Sequence, residues 1–268
     1  MKIFDVKYDE DHEFFFFIIF CLISFIILFS LAISESLLEI KIHSLIVVLL
    51  ITLVQMPFAY LILKFEEFQE LKNFEHWKLH YKAIGLFSVF FFSVAFASAL
   101  IFLMFPKTSI FNEQDAVIRA INNPVTGNFY AYFNYFISIL ANNLRVLFIS
   151  LLSAIFVGAG SLFILNWNAT VLGYAIGSFI YELIRINNPI YYALLKGTMK
   201  YLIHGIPEIL AYVIGSFAGG ILFTAIVNHH TESKIFKRIV FDSYRLVLIS
   251  IVLLLIGALI ETFITPLI

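Results

Sequence analysis

The stretch Tyr201-Leu-Ile-His204-Gly205-Ile-Pro207-Glu208-Ile-Leu-Ala-Tyr-Val-Ile-Gly215-Ser-Phe-Ala-Gly219-Gly220-Ile-Leu-Phe-Thr-Ala-Ile-Val227 decides the fold. It exceeds the roughly 20 residues a helix needs to cross a hydrocarbon core. His204 and Glu208 lie four apart within it, so a helix puts both on one face. Ionisable side chains are expensive inside a membrane, so they face a bundle interior or a water-filled cavity. Pro207 has no N–H to give to the helix ladder, which predicts a kink there. The segment therefore reads as a transmembrane helix with a polar centre, and other helices must surround it.

Composition agrees. The chain is 62% hydrophobic and 13% charged, with a mean hydropathy of +0.98. A soluble domain is about half apolar and about a quarter charged. The net charge of -1 gives no basic surface for nucleic acid. A single cysteine, Cys21, excludes an intrachain disulfide. The leader Met1–Glu13 is acidic and the run Phe14–Ser34 is long and rich in Phe and Ile, so the start reads as a retained span rather than a cleavable signal.

The fold expected is all-α, a polytopic transmembrane bundle of about seven spans: Phe14–Ser34, Ser44–Leu63, Ala83–Phe105, Leu144–Leu165, Asn168–Leu183, Tyr201–Val227 and Ser243–Ile264. The partner this implies is the lipid bilayer, with Phe14–Phe17 and Phe90–Phe92 as lipid-facing bulk. The fifth span, about 16 residues, is short enough for a half-span near 165–183 that pairs with the fourth as a re-entrant hairpin. The charged stretch Lys64–Lys82 reads as a helical extension of its two flanking spans. In the long polar connection Lys107–Asn128, Asn112 with Glu113 and Asp115 starts a short helix that ends before Asn122-Asn123-Pro124. The tyrosines of Phe129–Ala141 suit a helix at the membrane surface, turning inward at Asn142-Asn143.

With the N-terminus inside, ten of the 17 Lys and Arg residues fall in inner segments and seven outside, Arg145 among the latter. The bias favours a multi-pass protein of the cell membrane with its N-terminus in the cytoplasm and its C-terminus outside. The chain divides near Asn128, into a three-span region, 1–128, and a membrane domain, 129–268, that holds nearly all the intramembrane Asn, His and Glu.

Glu261 joins His204 and Glu208 as a third ionisable group near a span end. A carboxyl in hydrocarbon needs a proton, a hydrogen-bonding partner or a cation. Three readings follow: interhelical bonding that fixes the bundle, passage of an ion or small solute, or a metal held by His204, Glu208 and Glu261, a ligand number zinc accepts. At least one glutamate is expected within hydrogen-bonding reach of His204, directly or through one water. Asn142, Asn143 and Asn168 either cap helix ends or line a polar pocket. His229 and His230, just past a span end, read as solvated. Gly173 and Gly177, with Gly215, Gly219 and Gly220, permit close helix approach, either within the chain or along a homodimer seam. No cofactor motif and no catalytic nucleophile stand out, so the reading is non-enzymatic.

Four blocks in order resemble the stage II sporulation protein M family. They are Asn142-Asn143-Leu-Arg-Val with Gly158 and Gly160, Leu165-Asn-Trp-Asn168-Ala-Thr-Val-Leu-Gly173, His204-Gly-Ile-Pro-Glu208 running on to Gly219-Gly220, and Gly257-Ala-Leu-Ile-Glu261-Thr-Phe-Ile-Thr-Pro266. The resemblance spans about Phe136–Ile268. Ala169 departs from it, standing where the family has Gly. In endospore formers, the resemblance implies a membrane scaffold that works with peptidoglycan-degrading partners. Members in organisms without spores, archaea included, imply that sporulation is not the general role. The expected function is a scaffold organising other membrane or envelope proteins; the alternative is a channel or transporter built on His204, Glu208 and Glu261.

Overall fold

The computed structural model describes residues 10–39, 41–72, 77–121, 129–228 and 233–267. Among these the regular structure is helical: α1 (Glu10–Leu38), α2 (Ser44–Lys72), α3 (Trp77–Met104), α4 (Asn112–Ile121), α5 (Phe129–Val157), α6 (Ser161–Arg185), α7 (Ile190–Asn228) and α8 (Lys234–Phe263). All but α4 are long and apolar enough to cross a membrane. His229, His230 and Asn122–Pro124 lie outside the described residues.

α7 is the hub. It packs on α8, α5, α6, α2 and α3, and 72% of its most apolar window is buried, the largest share of the seven. At 39 residues it is about 58 Å long, nearly twice the hydrocarbon thickness. The helix continues through Pro207, which supplies no N–H to the Ile203 carbonyl.

Two expectations change. α6 is 25 residues long, so the fifth span is a full helix and not a half-span. Its first turns hold Asn166 and Asn168, which lowered the apparent apolarity, yet Asn166 is fully buried against α2. α5 is one continuous helix from Phe129 to Val157, with no turn at Asn142-Asn143; Arg145 accordingly lies inside a span. The chain reverses later, at Gly158, whose φ of 64° favours glycine. Short α4 forms where expected, with Glu113 and Asp115 in its first turn and Arg119 in its last. The charged 64–82 stretch continues α2 to Lys72 and opens α3 at Trp77.

The glycines are consumed by packing within the chain. A Cβ on Gly173 would run into the Ala95 carbonyl of α3, and one on Gly177 would sit 2.9 Å from the Ala99 carbonyl oxygen. Gly215 and Gly219 face α5, the first against Leu147 and the second 2.6 Å from Ala154 Cβ. Gly220 faces Leu63 of α2, at 2.7 Å. At these positions the structure shows the first of the two readings, close helix approach within the chain.

Candidate functional site

α7 and α8 run antiparallel, and their polar residues meet as rungs. His204 and Glu208 are four apart on α7. Glu261 is four residues before Thr265, in the 3-10 turn Thr265–Leu267 that follows α8. The His204 Nδ1 and Thr265 Oγ1 atoms are 3.1 Å apart. One turn along, the Glu208 and Glu261 carboxyls lie within hydrogen-bonding reach of each other. An ionised carboxylate only accepts, so a bond between them needs a proton on one of the two. Glu208 leans over Gly257: a Cβ there would lie 2.6 Å from Glu208 Cγ. The glycine makes room for the rung.

α5 closes the centre. Asn143 is buried and its Nδ2 donates to Glu208 Oε1 at 2.6 Å. Tyr135 of α5 and Tyr212 of α7 lie near both glutamates. Lys200, one turn beyond His204 on α7, stacks its ammonium 4.0 Å from the Phe179 ring of α6.

Of the candidate residues, Glu208, Glu261 and Asn143 therefore come together directly, and His204 joins through the next rung. The direct partner of the His204 ring is Thr265. Antiparallel register explains this: residues four apart on α7 each find a residue four apart on the α8 side, and not each other. Asn142 is exposed, and its amide nitrogen lies 3.5 Å from Asn143 Oδ1. Asn168 bonds back to the Ile164 carbonyl at 2.8 Å, a bond within its own helix. His204, Glu208 and Glu261 do not form a metal-holding group; none of three such side chains exists among the described residues.

Sequence reading missed Thr265 and Gly257 as site residues, although the matching four-residue spacing in 204–208 and 261–265 was available as a signal. It also missed a buried pair at the other end of the bundle, where His80 Nδ1 is 3.2 Å from Glu66 Oε1, beside the Phe217 ring. That pair lay in the stretch Lys64–Lys82, read as a helical extension of its flanking spans. Its burial depends on Phe217 of α7, which no local pattern reveals. At the opposite end α4 is tied down by carboxylates. Glu113 accepts from Ser44 N at 3.1 Å and pairs with His43 Nε2 at 3.0 Å. Asp115 accepts from Tyr174 Oη at 2.6 Å, and Glu35 takes the Thr108 hydroxyl at 2.6 Å and Ser109 N at 2.8 Å. Burial alone would push Glu113 up, but the Ser44 hydrogen bonds and the His43 charge bring it below its ordinary 4.5.

An uncharacterized protein of Methanocaldococcus jannaschii is 35% identical over 134 residues, 49% of this chain and 71% of that protein. No solved structure matches the chain. The family described as Stage II sporulation protein M matches residues 13–266, taking in the first three spans that the four blocks left out. With its seven apolar helices, the chain is an integral membrane protein and belongs to the stage II sporulation protein M family.

Proposed function

We propose that the chain is a non-enzymatic scaffold that organises partner proteins in the bilayer, with the α7–α8 ladder as the clasp that fixes its α5–α7–α8 face. The supporting observation is that each group at the centre has a protein partner: Glu208 has Glu261 and Asn143, and His204 has Thr265. Such satisfied interhelical polar bonds hold membrane bundles together. The clasp lies in the proposed 129–268 membrane domain, on which the first three spans pack through α3 and α6. The Lys and Arg bias supports a place in the cell membrane with the N-terminus in the cytoplasm. The homodimer of this reading uses a face other than the glycine-lined one, and envelope proteins are the partner class the family suggests.

The alternative is cation passage. It draws on the half-burial of Glu208 and Glu261, which leaves the pair within reach of the surroundings. One experiment separates the two. Wild type, Glu208→Gln and Glu208→Leu are compared for proton, sodium and potassium flux in liposomes and for thermal stability in detergent. A clasp gives no flux, a mild Gln variant and a Leu variant weakened by about 1–3 kcal/mol for each partner it strands. Wild-type flux that vanishes in the Gln variant would sink the scaffold reading.

A further inference from the structure

α5 carries a polar stripe on the side turned away from the clasp. Asn143 is buried and gives its amide to Glu208. On the other side Asn134, Ser138, Asn142 and Arg145 are all exposed. Steps of four, four and three residues keep these four on one face of the helix. A face turned to lipid finds no water for its polar groups. The outward face of α8 shows the ordinary solution, with Leu248, Val252, Leu255 and Leu259 exposed along it.

The register between helices sets the depth of Arg145. Two residues before it, Asn143 bonds Glu208, which lies over Gly257 of α8. Two residues after it, Leu147 packs at Gly215, which also faces Ser250 of α8. Arg145 is therefore level with α8 between Ser250 and Gly257, inside a run, residues 246–260, that carries no charge. The level of Arg245 on α8 is about 13 Å away along the axis. On α5 itself the span runs over Tyr132–Val157, which leaves about 18 Å or more of helix on either side of Arg145. Side chains near helix ends snorkel to the interface; one at the middle of a span does so only by thinning the bilayer around it. Among the described residues, none engages the Arg145 guanidinium in a hydrogen bond, ion pair or ring contact.

The missing partner is a carboxylate, which the planar guanidinium takes with two parallel hydrogen bonds. A second copy of this chain does not bring one to this depth. Among the described residues of the spans, Glu208 and Glu261 face each other and Glu66 pairs with His80. Glu35 holds Thr108 and Ser109, Asp242 is buried 3.9 Å from Arg245, and Glu182 lies in the last turn of α6. We propose that the outward face of α5 binds a transmembrane helix of a different protein, one that carries an Asp or Glu near its middle. Arg145 is the anchor, and Asn142 and Ser138 bond alongside it. This surface gives the scaffold proposed above its partner chemistry and rests on that reading.

The probe is a synthetic bilayer-spanning helix of leucine and alanine with one Glu at its middle, compared with the same helix carrying Leu or Lys there. Each is reconstituted with the full chain in phosphatidylcholine liposomes, and association is read by energy transfer between dyes on helix and chain. The Glu helix should bind about tenfold tighter than the Leu helix, the size of an interhelical polar contact in a membrane. The Lys helix should bind more weakly than either. Arg145→Leu should remove the preference for Glu, and Arg145→Glu should transfer it to the Lys helix. Equal binding of the three helices to wild type overturns the proposal. In detergent, Arg145→Leu should melt at the wild-type temperature or above, because no partner inside the chain is lost; a lower value places the role of Arg145 inside the chain and overturns it. Self-association of wild type that Arg145→Leu abolishes puts a second copy on this face and overturns it as well. The flux comparison of the Glu208 variants does not involve Arg145, so it decides the scaffold reading separately.

Discussion

Gly257→Ala tests the ladder at its tightest point. The added methyl would lie 2.6 Å from Glu208 Cγ, 3.3 Å from Oε1 and 3.4 Å from Cδ. Carbon atoms prefer about 3.5–4.0 Å, so Glu208 must move by roughly 1 Å. It is held at both sides, by Asn143 and by Glu261, and movement weakens those bonds. Overpacking of this kind costs about 1–3 kcal/mol, and a disturbed buried hydrogen bond adds about 1 kcal/mol. Alanine returns about 1 kcal/mol through its better helix propensity. The net expectation is a loss of about 1–3 kcal/mol, seen as a melting temperature several degrees lower in detergent. Gly205→Ala is the control, because a Cβ there meets only Ile209 Cδ1, at 3.9 Å. It should be neutral or stabilising. The double variant Glu208→Ala/Gly257→Ala completes a cycle: with the glutamate side chain shortened, the added methyl should no longer cost anything. A Gly257→Ala variant as stable as wild type would refute the reasoning. So would a penalty that persists unchanged in the Glu208→Ala background.

Leu at Gly173 or Gly215 should lower stability by several kcal/mol, because each glycine abuts a neighbouring helix of the same chain; mass measurement in detergent should show loss of folded protein and not a simple change of oligomeric state. The anchoring of α4 should weaken in acid. Glu113 sits below 4.5 in the folded protein, so its contribution is present above pH 4.5 and is lost as pH falls through the lowered value. Amide exchange across residues 112–121, corrected for intrinsic rates, should accelerate as pH drops below 4.5. Glu113→Gln, facing the same His43 and Ser44, should remove that acceleration. Tyr174→Phe, which takes the hydroxyl from Asp115, should lower stability by about 1 kcal/mol and loosen the same segment at neutral pH.

The sequence by itself determined that this chain is a bundle of membrane helices. Long runs without charge force backbone groups to bond within each segment, and that requirement is local. The short helix at Asn112 was legible for the same reason: its acidic first turn acts on its own backbone. Sequence also named His204, Glu208 and Glu261, because an ionisable group in hydrocarbon stands out wherever it points. What it left open was rotation and register. Asn142 and Asn143 are adjacent and chemically identical, yet only Asn143 turns inward to Glu208, and α7 packing on α5 decides which. Hydropathy read Asn166 as a helix boundary, whereas Thr52 of a distant helix makes it interior. The pairing of 204 with 265 and 208 with 261 depends on how far α8 slides along α7. That slide is set by where glycines let the two backbones approach, as Gly257 does beneath Glu208. Contacts between helices far apart in sequence fix those distances, so only the tertiary structure decided them.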